Sequence, residues 1–371
     1  MDVLGIIFAN IYDSSLGQLT NKRTMASLPF GGRYRHIDFP LSNMANAGIH
    51  HIGIITKYNY QSLINHVGSG LEWDLALGEG NMEFLTPFSM GHSGTYRGKL
   101  EAVNSAAKFI AQQNEEYVIL SDSNVLCSID LTKVLEAHIA SGCDVTAVTK
   151  SGIADGKKEL DLAIKTDDAG QVTQMAVDYV ADASYDASMG IFVMKRTLLM
   201  EAAKESTSRN RYRLERDFIL RSFDEGKITM HIYPFADVAL FMESTREYYQ
   251  NNLRLLQPQV RQGLFKSGTP VYTSVRNEVP AYFGDQAKMG NCIIGDGCSI
   301  EGSVDESVLF RNVKVEAGVT LKHCVAMQGC VIGAGAQIAY AVLDKGVVVR
   351  PGSMLIGTWE HPVIISKGET V

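Results

Sequence analysis

The feature of this sequence that most limits its fold is a short repeat in the last quarter of the chain. An aliphatic residue is followed three positions later by glycine in four places, which begin at Ile294, Val315, Ile332 and Val349. A second aliphatic residue stands six positions after the first in each copy, at Ile300, Leu321, Ile338 and Leu355. Six residues form one side of a parallel β-helix, in which one aliphatic side chain points inward and glycine relieves crowding at the corner. The repeat predicts a parallel β-helix, and an ordinary β-sandwich is the alternative.

The cysteines follow the same interval. Cys292 and Cys298 are six residues apart, and so are Cys324 and Cys330. The chain has six cysteines, no Cys-x-x-Cys pair and no spacing typical of metal ligands. These cysteines are therefore predicted to be reduced packing residues, and no metal site is predicted.

The chain before about residue 257 has a different pattern, in which short apolar runs alternate with helical periodicity. The runs that predict strands are VLGIIF, HIGIITK, YVILSD, DVTAVTK and GIFVMK. Between them, residues 60–67, 100–112 and 130–141 repeat apolar residues at intervals of three and four, which predicts helices. This alternation is typical of an α/β domain with a parallel sheet, whose ligand lies beyond the carboxyl ends of its strands.

A change of composition separates the two patterns. Residues 258–283 contain three of the nine prolines and show little periodicity. We predict an α/β domain over residues 1–257, a linker over 258–283 and a β-helix over 284–371. Because a solenoid cannot cover its own surfaces, the β-helix is expected to pack on the α/β domain and on a neighbouring chain.

The charge balance restricts the partners. There are 34 Lys and Arg against 41 Asp and Glu, a formal net charge of -7. That charge repels a phosphate polymer or an anionic bilayer over most of the surface, so neither nucleic acid nor a membrane is predicted as a partner. The start of the chain lacks the basic segment of a secretory signal, and no run of about 18 apolar residues occurs. We expect a cytoplasmic protein.

Four basic side chains flank a Pro-Phe-Gly-Gly turn, and they are Lys22, Arg23, Arg33 and Arg35. On an acidic protein such a cluster favours a phosphorylated small ligand as an effector, and a solvated or subunit-contacting basic face is the alternative. The loop after the first strand does not favour a phosphate, because it contains Asp13 and has no glycine before Gly17.

Four motifs together give the chain a specific resemblance. They are PFGGRYRHIDFPLSNMANAGI, YRG followed by EAV, YVILSD ending at Asp122, and ASMGIFV. In order and spacing they resemble the motifs of the ADP-glucose pyrophosphorylases, also called glucose-1-phosphate adenylyltransferases. The resemblance implies an α/β nucleotidyltransferase domain with a Rossmann-like mixed sheet, followed by a left-handed parallel β-helix. It also implies tetramers under effector control that make ADP-glucose and pyrophosphate from ATP and glucose 1-phosphate.

The cationic and glycine-rich parts of the family's active site are replaced in this sequence. Its Gly-Gly-x-Gly-x-Arg loop corresponds to residues 10–15, which are Asn-Ile-Tyr-Asp-Ser-Ser. Its phosphate-facing lysine corresponds to Met25, and its sugar-phosphate lysine corresponds to Asp178. Phosphoryl transfer depends on positioning and charge neutralisation, so these replacements predict little or no catalysis by this chain alone.

The family's two magnesium-binding aspartates are also incompletely matched. Asp122 matches the first and is interpreted as a remnant metal position. The second falls at Phe241, and only a shifted register would place Glu243 there. We therefore predict no catalytic residues, no metal and no cofactor in this chain, with Mg²⁺ belonging to a catalytic partner.

Within the family, the resemblance is to the GlgD-type, non-catalytic subunits. It implies a regulatory subunit for glycogen synthesis, paired with a catalytic homologue in a heterotetramer or forming a homo-oligomer when alone, with a sugar phosphate or nucleotide as effector. The residues retained from the nucleotide and sugar pocket are Tyr96, Arg97, Gly98, Ser188, Met189 and Gly190. The first alternative is an active sugar-1-phosphate nucleotidyltransferase with an atypical phosphate loop. The second is an acyltransferase that uses His323 or His361 of the repeat region.

Overall fold

The computed structural model describes residues 2–76, 81–87 and 96–371. The strands of the amino-terminal part are β1 (Val3–Phe8), β2 (Pro29–Phe30), β3 (Tyr34–Arg35), β4 (His51–Ile55), β5 (Asn81–Leu85), β6 (Tyr117–Asp122), β7 (Val125–Cys127), β8 (Val145–Lys150), β9 (Glu159–Leu160), β10 (Ala163–Thr166), β11 (Val172–Ala176), β12 (Tyr179–Val180), β13 (Asp186–Lys195), β14 (Met230–Pro234) and β15 (Ala239–Phe241). The helices are α1 (Asp38–Asn46), α2 (Gln61–Val67), α3 (Lys99–Ser105), α4 (Ala107–Ala111), α5 (Leu131–Ser141), α6 (Arg196–Ser208), α7 (Arg221–Asp224), α8 (Thr245–Arg254) and α9 (Pro258–Leu264). A π-helix covers Leu214–Leu220. Short 3-10 helices cover Asp13–Thr20, Met25–Ser27 and Leu71–Trp73.

Nine strands form one mixed sheet within the described residues. Its order is β11-β10-β13-β6-β1-β4-β5, with β8 beside β13 and β14 beside β8. Strands β6, β1, β4 and β5 run parallel, as the alternation of strands and helices predicted. Strand β13 runs antiparallel to both β6 and β8. The sequence run GIFVMK predicted this strand but not its direction, because an apolar run has the same pattern either way.

The central strands are buried on both faces. In β1, Leu4, Ile6 and Phe8 pack into one cluster with residues of α3 and α6, while Val3 and Ile7 pack into another with α1. The last residue of β1 is paired with Asp122, the last residue of β6. The loops that follow these two strands therefore meet at one edge of the sheet, where the sequence predicted the ligand site. Among the described residues, no helix is both long and apolar enough to cross a bilayer.

The carboxyl-terminal part is a parallel β-helix, which confirms the prediction from the repeat. Its strands are β16 (Tyr282–Phe283), β17 (Lys288–Met289), β18 (Ile293–Ile294), β19 (Ser299–Ile300), β20 (Ser303–Asp305), β21 (Val308–Leu309), β22 (Lys314–Val315), β23 (Thr320–Ala326), β24 (Val331–Ile332), β25 (Gln337–Leu343), β26 (Val348–Val349), β27 (Met354–Ile356) and β28 (Val363–Ile365). Each strand pairs in parallel with the equivalent strand of the next coil. The stacked aliphatic side chains fill the interior, together with Cys298, Cys324 and Cys330.

The four copies of the repeat do not all lie on one side of the β-helix. Ile294 stacks on Leu309 along one side of the β-helix. Val315 stacks on Ile300 along a different side. The same turn, with glycine at positive φ, is used at two different corners of the coil, so the motif alone does not identify the corner. The coils are also shorter than three sides of six residues. The spacings along one side are 15, 17 and 17 residues, between the stacked residues Ile300, Val315, Ile332 and Val349.

The segment predicted as a linker contains ordered elements. Helix α9 occupies its first seven residues and buries Val260 and Leu264 against side chains of α1 and β15. An extended stretch then leads to β16, which forms the first side of the β-helix by pairing with β19. The exact limits of the two domains stay a prediction.

The β-helix packs against the α/β domain, as expected for a solenoid with an uncovered face. An apolar cluster joins the first loop and α8 to one side of the β-helix. Its members include Leu16, Leu19, Met25, Tyr248, Tyr249, Val308, Phe310, Val325, Met327 and Val342. The two domains therefore share an extended hydrophobic contact.

A buried ion pair lies within this contact. Arg23 Nη2 donates to both carboxylate oxygens of Asp344 at 2.6 and 2.8 Å, and the two side chains are only 2% and 1% exposed. In the preceding coils the positions equivalent to Asp344 are held by Phe310 and Met327. Arg23, one of the effector candidates, is thus bound to Asp344, which stands where the preceding coils have apolar residues.

We expect each residue of this ion pair to stabilise the folded state only when its partner is present. Arg23→Met or Asp344→Met alone leaves one buried charge uncompensated, and each should lower the free energy of unfolding by about 3 to 5 kcal/mol. The double variant removes both charges and extends the apolar stack, so it should recover most of that loss. Urea unfolding of the four proteins measures the difference. A double variant as unstable as the two single losses added together would contradict the pairwise interpretation.

Candidate functional site

A buried cluster of charges lies at the carboxyl end of β6. Lys99 Nζ, at the start of α3, donates to Asp122 Oδ2 at 2.6 Å and to Glu215 Oε1 at 2.5 Å. The Lys99 side chain is only 3% exposed, and Glu215 comes from the π-helix. Burial alone would lower the pKa of Lys99, but the charges of Asp122 and Glu215 outweigh it and raise the pKa above its ordinary value. One ammonium group therefore pairs with two carboxylates at the end of the sheet and offsets only part of their negative charge.

Asp122 is also packed closely by its other neighbours. The Tyr12 hydroxyl donates to Asp122 Oδ2 at 3.2 Å. Gly190 has a φ of 67°, and any side chain there would overlap the Asp122 carboxylate. Burial raises the pKa of Asp122, and the charge of Lys99 offsets this only in part. Asp122 Oδ1 has no hydrogen-bond partner in the described part of the chain.

The pocket beside this cluster is acidic. The carboxylates in its lining are Asp122, Asp161, Glu215 and Glu243. A second nearby cation, Lys158, is bound to Glu243 Oε2 at 2.9 Å and to Glu247 Oε1 at 2.7 Å. Burial raises the pKa of Glu243 despite that ion pair. Because both lysines are already paired with carboxylates, the pocket presents negative charge where a nucleotidyltransferase needs to hold phosphates.

The magnesium ion that the resemblance implies does not fit these residues. Asp122 has one oxygen bound to Lys99, and Phe241, at the predicted position of the second carboxylate, is a buried strand residue paired with Val125. Glu243, the alternative in a shifted register, is bound to Lys158. Within residues 2–76, 81–87 and 96–371, no group of three His, Cys, Asp or Glu side chains could hold a metal ion. A divalent cation bound to Asp122 Oδ2 would have to displace the ammonium group of Lys99.

The loop after β1 is closed by its own hydrogen bonds. The Asp13 carboxylate accepts from Asn10 Nδ2 and from the backbone N–H of Met25, both at 2.7 Å. The Oδ1 atom of Asn10 accepts a hydrogen bond from the backbone N–H of Lys57 at 2.8 Å. Burial raises the pKa of Asp13 to about 6. A carboxylate of the chain thus binds a backbone amide in the region where the family's loop binds phosphate.

The three retained residues before α3 contact other parts of the protein. Arg97 stacks on the ring of Tyr212 at 3.6 Å and pairs with Glu101 at 2.6 Å. Gly98 lies against the Tyr212 backbone with no room for a side chain. Tyr96 is buried in the same hydrophobic cluster as the apolar residues of α3. Packing against Tyr212 and α3 accounts for these positions without a ligand.

The three retained residues of β13 lie at the bulge of that strand. Ser188 and Gly190 line the acidic pocket, whereas Met189 is fully buried in the core on one face of the sheet. The Ser188 hydroxyl accepts from the Gly190 backbone N–H at 3.2 Å. Asp178, at the predicted lysine position, forms an ion pair with Arg213, and this hydrogen bond lowers the pKa of its carboxyl. The six predicted remnants are therefore not all brought to one site.

A second pocket, between the two domains, is basic, and we call it the interdomain basic pocket. Its charged lining residues are Arg33, Arg35, His66, Arg276, Arg311 and Lys345. No Asp or Glu belongs to the lining among the described residues, and none of the arginines or Lys345 forms an ion pair there within the part of the chain that is described. Of the four effector candidates, Arg33 and Arg35 line this pocket, whereas Lys22 and Arg23 do not.

The β-helix side of this pocket is built by one corner of successive coils. The stacked residues Leu309, Ala326 and Leu343 are each followed two positions later by a lining residue. These lining residues are Arg311, Gln328 and Lys345. Arg311 Nε is buried and has no hydrogen-bond partner among the described residues. Burial lowers the pKa of Arg311, and the neighbouring charges of Arg33 and Arg276 act in the same direction.

The opposite side comes from the Pro-Phe-Gly-Gly turn. The guanidinium of Arg35 is oriented by two hydrogen bonds to Ser62, one to its carbonyl at 2.7 Å and one to its hydroxyl at 3.0 Å. Burial lowers the pKa of Arg35 to about 10, in part opposed by Asp38. Backbone turns on both sides thus hold like charges close together, an arrangement that an anion would stabilise.

Several of these residues were missed from the sequence. Lys99 and Glu215 are 116 positions apart, and Arg276, Arg311 and Lys345 belong to no motif. A signal was available for Arg311 and Lys345. Once the coils are aligned, each lies two positions after a stacked aliphatic residue. Arg276 had no comparable signal.

We expect Asp13 to make stability depend on pH. Because its pKa is about 6 in the folded chain and near 3.8 when unfolded, the folded state holds more protons between these values. Stability should therefore fall as the pH rises from about 4 to about 6, by up to about 3 kcal/mol from this residue. Unfolding midpoints of the wild type and Asp13→Asn across this window measure it, with the exposed Asp168→Asn as control. The slope should shrink in Asp13→Asn alone, and an unchanged slope would contradict the assignment.

The comparisons with known proteins agree with this architecture. A nucleotidyl transferase family model matches residues 5–233, and a GlmU-like C-terminal hexapeptide model matches residues 279–361. Glycogen biosynthesis protein GlgD of Bacillus subtilis (strain 168) is 30% identical over 366 residues, which are 99% of this chain and 96% of that protein. The glucose-1-phosphate adenylyltransferases of Bacillus mycoides (strain KBAB4) and Bacillus cereus (strain ATCC 10987) are each 30% identical over 95% of this chain and 94% of the relative. The chain therefore belongs to the glucose-1-phosphate adenylyltransferase (ADP-glucose pyrophosphorylase) family of nucleotidyltransferases and is similar to its GlgD-type members, as its motifs predicted.

Proposed function

We propose that this chain is a catalytically impaired, regulatory subunit of a glucose-1-phosphate adenylyltransferase in glycogen biosynthesis. The observation that carries the proposal is the ammonium group of Lys99, which lies between Asp122 and Glu215 in the pocket that the family uses for chemistry. The chain then needs no cofactor of its own, and Mg²⁺ acts in a catalytic partner subunit. The relatives named glycogen biosynthesis protein GlgD and glucose-1-phosphate adenylyltransferase support this role.

The size of the expected rate loss favours a severely impaired subunit over a modestly slower enzyme. Adenylyl transfer from ATP requires cations and donors that are preorganised around the phosphates, and loss of one such donor lowers a rate by about 10² to 10³. Here the loop amides, the lysines and the second metal carboxylate are all replaced. Even if these losses are far from additive, the rate should fall by at least roughly 10⁴, which corresponds to about 5.4 kcal/mol.

Association with a homologue follows from the shared fold. A catalytic relative that is 30% identical over nearly the whole chain presents similar surfaces, so it can replace a copy of this chain in a pseudo-symmetric tetramer. Apolar side chains that such an interface would cover are exposed on the β-helix at Val279, Tyr282, Phe283, Met354 and Ile356. A subunit that binds one conformation of its partner more tightly shifts the partner's equilibrium without contacting the substrate.

The interdomain basic pocket is the proposed effector site. Arg33, Arg35, Arg276, Arg311 and Lys345 surround it, and its described lining carries no carboxylate. Guanidinium groups bind phosphate oxygens in pairs, so the geometry favours a phosphorylated small molecule such as a sugar phosphate or a nucleotide. Since both domains contribute to the pocket, an anion bound there would couple their relative positions.

The acyltransferase alternative has less support. His323 stacks on Tyr340 at 4.7 Å between ring centres, and its Nδ1 lies 2.9 Å from Glu306. His361 is exposed near the last coil. Neither histidine lies in one of the two pockets described above. The other alternative, an active sugar-1-phosphate nucleotidyltransferase, is tested directly by the following experiment.

The test compares the isolated chain with a mixed complex. We expect the chain, co-expressed with a catalytic glucose-1-phosphate adenylyltransferase from the same genome, to copurify with it in a hetero-oligomer with altered maximal rate or effector response. Pyrophosphate release from ATP and glucose 1-phosphate with Mg²⁺ is measured for each subunit alone and for the complex. The isolated chain should be at least roughly 10⁴-fold slower than the catalytic subunit.

The matched control is a catalytic subunit inactivated at its own magnesium aspartates and paired with this chain. That complex should be inactive, which assigns the turnover to the partner. Robust turnover by this chain alone would establish the active-transferase alternative, and absence of any mixed oligomer would remove the regulatory proposal.

The effector site is tested by charge removal in the pocket. Arg33→Gln combined with Arg311→Gln should weaken binding of inorganic phosphate by roughly 100-fold, because each lost charge-assisted hydrogen bond contributes about 1.5 kcal/mol or more. Lys314→Gln, which removes an exposed charge on another side of the β-helix, serves as control and should bind as the wild type does. Calorimetric titration gives the affinities, and equal affinities in all three proteins would contradict this site.

A further inference from the structure

Lys345 is distinguished from the other cations of the interdomain basic pocket by its surroundings. It lies two residues after the end of β25, at the corner of the coil where the preceding coils place Gln328 and Arg311. The next coil places Lys367 at the equivalent position. Its side chain is half-buried where the β-helix meets the α/β domain. A primary amine therefore stands in a column of mostly positive groups at a domain boundary.

The one carboxylate beside this amine is already bound. Asp344 receives two hydrogen bonds from Arg23, and its Oδ1 also accepts from the backbone N–H of Lys345 at 2.5 Å. Asp344 therefore has little capacity left to stabilise a charge on the Lys345 side chain. The α/β domain adds only cations around the pocket, apart from His66, whose Nε2 lies 2.6 Å from Asp38 Oδ1.

The charged groups around Lys345 in residues 2–76, 81–87 and 96–371 come from several elements. The turn and β3 contribute Arg33 and Arg35, α2 contributes His66 and the extended segment before β16 contributes Arg276. The β-helix contributes Arg311, Asp344 and Lys367, and the first loop contributes Arg23. Helix α1 adds the carboxylate of Asp38, which is bound to His66, while Asp344 is bound to Arg23, so both described carboxylates are already paired and are outnumbered by the positive groups.

We infer that the interdomain basic pocket binds a dianion together with a proton, which is taken up by Lys345, so that the affinity for the anion falls as the pH rises. This inference rests on the proposed effector site and adds its regulation. The proton comes from solvent and forms an N–H bond on the Lys345 amine, and no other bond is made or broken. The device would make the effector response of the subunit sensitive to pH near neutrality.

The direction of the effect follows from the electrostatics. Burial, followed by the charges of Arg35 and Arg23, lowers the pKa of Lys345 to about 6 in the free chain. A bound dianion supplies the negative charge that Asp344 cannot, so it raises the pKa of this amine. Between the free and the bound values the amine is neutral when the pocket is free and protonated when the anion is bound. Within that window, affinity should fall by roughly tenfold for each unit of pH.

The experiment measures binding of sulfate to the full chain, because sulfate stays a dianion throughout this range and contributes no proton of its own. Calorimetric titrations between about pH 6 and about pH 8.5, each in two buffers of different ionisation enthalpy, give the affinity and the number of protons taken up. The wild type should take up close to one proton near pH 7 and bind sulfate more weakly as the pH rises.

Two substitutions at the same position and two controls isolate the amine. Lys345→Arg keeps a permanent charge, so it should take up no proton and bind more tightly than the wild type at about pH 8. Lys345→Met should take up no proton and bind weakly at every pH. His66→Gln and the exposed Lys314→Arg should both keep the pH dependence of the wild type.

The outcomes separate this inference from the proposed function. Sulfate binding with the same pH slope in the wild type, Lys345→Arg and Lys345→Met would overturn the proton uptake and leave the anion site intact. Loss of the slope in His66→Gln alone would assign the proton to the histidine and overturn the inference in the same way. Absence of sulfate binding by the wild type at about pH 6 would overturn both the inference and the effector site, while the co-expression experiment would still test the regulatory role.

Discussion

The contact between the β-helix and the α/β domain is the constraint on which the interdomain basic pocket depends. The apolar cluster around Tyr248 and Phe310 brings the two domains together, and the Arg23–Asp344 pair lies inside it. Arg23 binds the carboxylate of Asp344, the sequence neighbour of Lys345, so the contact that joins the domains leaves that carboxylate unavailable to the basic pocket. Buried ion pairs contribute little net stability, and the geometric requirement they impose is the more important effect here.

The fold was largely predictable because its patterns are local. The repeat predicted the β-helix, since inward aliphatic residues and corner glycines recur within a few positions. The register of Ile294 was not predictable, because the same turn occurs at two corners and the coils vary between 15 and 17 residues. Strand β13 was predicted without its direction, which depends on how distant strands pair.

The candidate site was predictable only in part, because its charges meet through long-range contacts. Asp122 lies at the end of β6, as its motif indicated, and of the four effector candidates only Arg33 and Arg35 line the interdomain basic pocket, where their role as effector ligands stays a prediction. Lys99 stands at the start of a helix, where a lysine is ordinarily solvated, and its burial depends on Glu215 in a distant π-helix. Arg276 lies in an extended segment without a pattern. Motifs therefore identified the family, whereas the pairing of charges required the three-dimensional arrangement.

The lysine between Asp122 and Glu215 has a consequence for how substitutions in this cluster combine. A metal ion exchanges with solvent, but an ammonium group fixed to the backbone is present in every molecule, so folding of this region is independent of the magnesium supply. Replacing Lys99 first would leave two carboxylates close together in a buried position, and introducing an active-site cation first would create repulsion with the lysine. Each single change is therefore unfavourable, so the ammonium group and the two carboxylates stabilise this end of the sheet as one unit.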